Sequence, residues 1–136
     1  MRPARAAAII TWIYAAMFGL PVVPIVITEL QTGELPWVGT LFQAFAGPWT
    51  VGADPVIIAE LLLGFLVLTL IASLSGWWLF KGQRHGAILN LSVMVAEMMF
   101  WFGFALPLAW LFGLARIALI AMAWRRLRDK NSVDPL

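Results

Sequence analysis

Residues 86–124 read GAILNLSVMVAEMMFWFGFALPLAWLFGLARIALIAMAW, an apolar run whose only charges are Glu97 and Arg116. It is about twice the length of the roughly 20 helical residues that cross a membrane core of about 30 Å, so it must fold back on itself. Gly103 and Pro107 mark the turn, because proline is disfavoured in mid-helix and also disfavours helix at the residue before it. Glu97 lies about nine residues before that turn and Arg116 about ten after it. At about 1.5 Å per residue, both sit roughly 14 Å from the turn, and adjacent antiparallel helices bring them to one depth. The spacing predicts a structural ion pair between Glu97 and Arg116.

Working outward, two more apolar runs precede this hairpin, so the expected fold is all-α: a polytopic four-helix transmembrane bundle in one domain. The spans are read as 6–27, 56–80, 86–105 and 107–124. A chain of 136 residues with 62% hydrophobic content is too apolar for a soluble domain. The first run is longer than a signal-peptide core and lacks a clear cleavage site, so an uncleaved span is expected. Pro21 and Pro24 in its outer half predict a kink.

Eight of the nine Lys and Arg residues fall at alternate ends of these spans, and therefore all on one side of the bundle. Arg2 and Arg5 precede the first span, Lys81 and Arg84 separate the second and third, and Arg125, Arg126, Arg128 and Lys130 follow the fourth. Cytoplasmic loops are enriched in such residues, so both termini are expected in the cytoplasm of a multi-pass cell-membrane protein. A basic rim of this kind meets anionic headgroups, and nucleic acid is not an expected partner. Trp37, Trp49, Trp101 and Trp110 near one boundary, and Trp77, Trp78 and Trp124 near the other, read as an aromatic belt.

The 28–54 connection is the only long loop, and Glu29, Glu34 and Asp54 gather in it. Trp37, Val38, Leu41, Phe42, Phe45 and Ala46 recur at helical spacing, which predicts a short interfacial helix; a lid over an outer pocket is the other reading. Asp54 followed by Pro55 reads as an N-cap and first-turn proline.

Charged groups deep in a span cost about 2.5–3.5 kcal/mol on insertion scales, so each needs a partner or a function. Glu60, placed roughly 6 Å further out than Arg116, is the third such group. Three inward stripes are expected: Asn90, Val93, Glu97, Trp101 and Phe104; Ala109, Gly113, Arg116, Ile120 and Ala123; and Glu60, Gly64, Ile71 and Ser75. Thr69 and Ser73 are expected to bond their own helix backbone. Glu60, Glu97 and Arg116 are thus the candidate catalytic residues. Two carboxylates beside one arginine can have their proton affinities pushed apart, the basis of acid–base or relay chemistry. The alternative is a pair that only fixes helix register, with Glu60 reaching the interface. His85 reads as a solvated loop residue and Asn90 as a helix–helix hydrogen bond. With no Cys and one His, the chain lacks the usual metal and haem ligands, and no cofactor is expected.

The stretch Ala59-Glu60-Leu61-Leu62-Leu63-Gly64, with the basic turn between Trp78 and Gly86, resembles the Glu-containing second helix and following turn of DoxX-like small membrane proteins. The likeness covers about a quarter of the chain. The long 28–54 loop and the lack of a lysine at the end of span one depart from that pattern. The resemblance implies four helices, cytoplasmic termini and a membrane subunit linked to quinone or redox systems, often accessory rather than catalytic; only Glu60 and Gly64 carry over.

The expected function is therefore a non-catalytic accessory or assembly subunit, packed in the bilayer against a membrane-protein partner or its own copies. Its alternatives are a membrane-embedded enzyme on a lipid-soluble small molecule, with Glu60 and Glu97 as acid and base, or a small transporter or channel subunit.

Overall fold

A computed structural model of the chain describes residues 2–38 and 42–127. Its helices are α1 (Arg2–Phe18), α2 (Val22–Thr32), α3 (Pro55–Phe80), α4 (Arg84–Gly103) and α5 (Pro107–Ala123), with a 3₁₀ turn at Trp124–Arg126. Counting α1 and α2 as one stretch, four are long and apolar enough to cross a membrane.

The first stretch is broken rather than merely bent. Pro21 has no N–H to donate, so the ladder stops at Gly19 N–H to Ala15 O (2.7 Å) and restarts at Val22 N–H to Gly19 O (3.1 Å). Pro24 falls in the first turn of α2, where its missing donor costs little. Gly19 is required by closeness as well: a Cβ there would lie 2.5 Å from Thr69 Oγ1 on α3. α2 then runs to Thr32, past the expected end of the span, and stops at Gly33, whose φ of 75° suits glycine. Asp54 caps α3 as its sequence predicts, accepting from Val56 N–H at 2.8 Å, with Pro55 at the first helical position.

α3 is the central helix and packs most extensively on α4 and α1; α1 also packs on α5. The consecutive helices α4 and α5 touch each other much less than these pairs do. Large apolar side chains such as Ile13, Val67, Leu70, Val95, Leu114 and Met122 are exposed around the outside. A soluble protein rarely shows so continuous an apolar exterior, whereas lipid favours it. At the cation-bearing end, Arg5 lies over Phe80 (5.2 Å), Lys81 over Trp77 (4.7 Å) and Arg84 over Trp124 (5.3 Å).

The segment expected to form an interfacial helix does not do so. Trp37–Val38 (β1) and Phe42–Gln43 (β2) form a short antiparallel ladder, with Trp37 opposite Gln43; Leu41 lies outside the described residues. In so short an apolar window, helix and strand periodicities are hard to tell apart, and Trp, Val and Phe favour strand. The following residues are pinned to the bundle. Phe45 is buried against Phe65 and Phe104 (ring centroids 6.0 and 5.5 Å), and Trp49 packs on Phe100 (5.2 Å). Trp49 N–H bonds Gly103 O at 3.0 Å, and a Cβ on Gly103 would collide with the Trp49 ring. The belt reading also needs one change: Trp37, Trp77, Trp110 and Trp124 are exposed, but Trp101 is 1% exposed and belongs to the core.

Candidate functional site

The α4 stripe Asn90, Val93, Glu97, Trp101 and Phe104 is buried, as is the α5 stripe Ala109, Gly113, Arg116, Ile120 and Ala123. Their facing brings the expected pair together. Arg116 Nη1 donates to Glu97 Oε2 at 2.9 Å, and both side chains are fully buried. The sparse α4–α5 contact is what leaves room for so long a side chain. Trp101 fills the next part of the gap by lying on Gly113, where a Cβ would stand 2.7 Å from the indole ring.

The pair is one link in a network that reaches all four helical stretches. Arg116 Nε donates to Asn90 Oδ1 at 3.0 Å. Asn90 Nδ2 donates in turn to Ser75 Oγ on α3 (2.9 Å) and Thr11 Oγ1 on α1 (3.1 Å). Both hydroxyls pass their own protons back to their helices, Ser75 to Ala72 O and Thr11 to Ala7 O. The guanidinium carbon lies 5.2 Å from the centre of the Tyr14 ring, a cation–π arrangement. Trp101 Nε1 donates to the Tyr14 hydroxyl at 2.7 Å. Asn90 thus bridges helices as expected, while Thr11 and Tyr14 are members that sequence reading missed. Their signal was faint: they share the helical face of Ala4, Ala7 and Ala8, small residues that permit close approach. The ion pair itself is end-on, since Glu97 Oε1 and Arg116 Nη2 have no hydrogen-bond partner among the described residues.

Glu60 is not part of this network. It is exposed on α3, whose buried face runs instead through Ala59, Leu62, Phe65, Thr69, Ala72 and Ser75. Of the stripe expected from Glu60, only Ser75 is buried, because α3 is apolar on nearly every side and its pattern carries no phase. Thr69 and Ser73 do bond their own backbone, to Leu66 O (2.7 Å) and Thr69 O (2.9 Å). His85 is in the first turn of α4 rather than a loop, half-buried with its ring 4.7 Å from that of Trp78.

Chemically, the network can fix helix register and neutralise Arg116. Neither Glu97 nor Arg116 lines any of the four main cavities among the described residues. No cluster of three His, Asp or Glu side chains able to hold a metal ion occurs among those residues. No protein-family model, curated protein or solved structure matches this chain.

Proposed function

We propose that this chain is a non-catalytic accessory or assembly subunit of a cell-membrane complex, with both termini in the cytoplasm. The observation that carries the reading is the closure of the Arg116 network. Its ionisable groups are fully buried, bonded across helices, and outside the lining of the four main cavities among the described residues, which favours a structural role. An acid–base pair of Glu60 and Glu97 is disfavoured because Glu60 faces outward. A solitary carboxylate on an apolar, outward helix face is costly in lipid and is relieved by a partner helix, which makes the Glu60 face of α3 the preferred contact surface. The DoxX-like features around Glu60 and Gly64 favour a quinone-linked or other redox complex as the setting.

Purification in mild detergent after crosslinking, followed by mass spectrometry, tests this reading. A stoichiometric membrane-protein partner, crosslinked near Glu60, is the expected result; an isolated monomer that turns over a lipid-soluble substrate would replace it with the enzyme reading. Orientation has its own check. A cysteine at Thr32 should react with an impermeant reagent from outside intact cells and one at Gln83 should not; the reverse pattern would invert the topology.

A further inference from the structure

At the end of the bundle away from the cations, a cavity of about 380 Å³ opens between the C-terminal turn of α2, the residues before α3 and the first turn of α3. Glu29, Gly33, Glu34, Thr50, Ala53 and Ile58 are among its walls. Glu29 is only 1% exposed, yet its Oε2 has no hydrogen-bond partner among the described residues. Buried polar atoms are almost always partnered, so an orphan oxygen on a carboxylate that borders a cavity points to something the cavity receives. The positive N-terminal end of α3 also borders the cavity, but Asp54 caps it, and the other electrostatic features there are negative. Glu34 is close enough to repel Glu29. The last turn of α2 ends beside it with its carbonyls, the negative end of the helix dipole. Residues 29–55 contain no Lys, Arg or His.

We propose that this cavity binds a primary ammonium group, held between the Glu29 and Glu34 carboxylates. A bare divalent ion fits less well: it needs six or more oxygens close around one point, and no three acidic or imidazole side chains converge among the described residues. An ammonium group offers three N–H donors and no acceptor, the complement of a wall rich in acceptors. At about 30 Å³ per water, the volume equals roughly a dozen waters, ample for a small amine together with its hydration shell. Depth favours such a group as well. Counting from Ala6, a core of about 30 Å ends near Val26, so Glu29 stands roughly one turn beyond it, level with lipid headgroups. The ammonium can therefore come from an ethanolamine headgroup or from a free amine.

Thermal unfolding of the purified protein tests this with ethanolamine, choline and calcium chloride at matched ionic strength. A second arm uses nanodiscs of phosphatidylethanolamine or phosphatidylcholine. Ethanolamine is expected to raise the midpoint by several degrees at saturation, choline and calcium much less, and the shift should be lost in Glu29→Gln and reduced in Glu34→Gln. Stabilisation by free ethanolamine alone identifies a soluble amine, and stabilisation confined to phosphatidylethanolamine discs identifies the headgroup; both support the site. Shifts equal for choline, larger for calcium, absent for every probe, or undiminished in the variants overturn it. Should Glu29→Gln fail to fold, the exposed Glu34→Gln variant decides alone: an unreduced shift rejects the site.

Discussion

Two groups of carboxylates occupy this molecule under opposite conditions. In the middle of the bundle, Glu97 meets Arg116 at 2.9 Å and the arginine is further held by Asn90 and Tyr14. At the far end, Glu29 is likewise shielded from solvent, though nearer the surface of the bundle, and it borders a cavity whose other acidic wall, Glu34, repels it. Each glutamate keeps one oxygen without a hydrogen-bond partner, but among the described residues only Glu97 has a counterion. A buried charge with a counterion is spent on the fold, whereas Glu29 is the group that the proposed ammonium would meet. The difference lies in geometry, since both are glutamates on apolar helices.

The same chemical edit at several positions can break or sharpen that contrast. The largest effect is expected for Glu97→Gln, which leaves the Arg116 charge buried without its counterion and should cost about 3–5 kcal/mol by soluble-protein precedent. Combining it with Arg116→Gln should cost less than the sum of the two single changes, measured by reversible unfolding in detergent; strict additivity would mean that the pair is not coupled. Asn90→Ala removes three hydrogen bonds and strands Arg116 Nε, for an expected loss of about 2 kcal/mol in the same assay. A neutral Asn90→Ala would show that the pair stands without the network.

Glu29→Gln should move the other way. In amine-free detergent it relieves an unpartnered buried carboxylate and is expected to stabilise by about 1 kcal/mol. A loss as large as that of Glu97→Gln would place Glu29 among the structural groups and erase the contrast. Glu60→Gln comes last, with stability changed by less than about 0.5 kcal/mol, since the side chain is exposed and outside the network. Its effect should register in partner crosslinking; a well-folded Glu60→Gln protein that lost an enzymatic activity would return the case to acid–base chemistry.

What could be read from the sequence depended on whether a helix announced its phase. The turn between Gly103 and Pro107 set both length and register for α4 and α5, and so fixed the meeting of Glu97 and Arg116. α3 offers no polar face, so Glu60 was assigned inward when the buried line passes through Ala59. On α1, Thr11 and Tyr14 are separated from Asn90 and Arg116 by long stretches of chain, and no local pattern encodes such a contact. Glu29 was legible as an acidic residue of the outer loop but not as a buried one. Its burial follows from α2 extending to Thr32 and ending at Gly33, a stop that the two prolines upstream drew attention away from.

The network also imposes an order on assembly. Arg116 lies on α5, and the groups that receive it belong to helices made earlier: Tyr14 on α1, then Asn90 and Glu97 on α4. Because α4 and α5 touch each other only sparsely, their hairpin alone is a poor shelter for a guanidinium in lipid. The finished helices act as the template that admits the last one. On the proposed membrane reading, a chain whose α1 is displaced is therefore expected to lose the seat of Arg116, and with it the seating of α5.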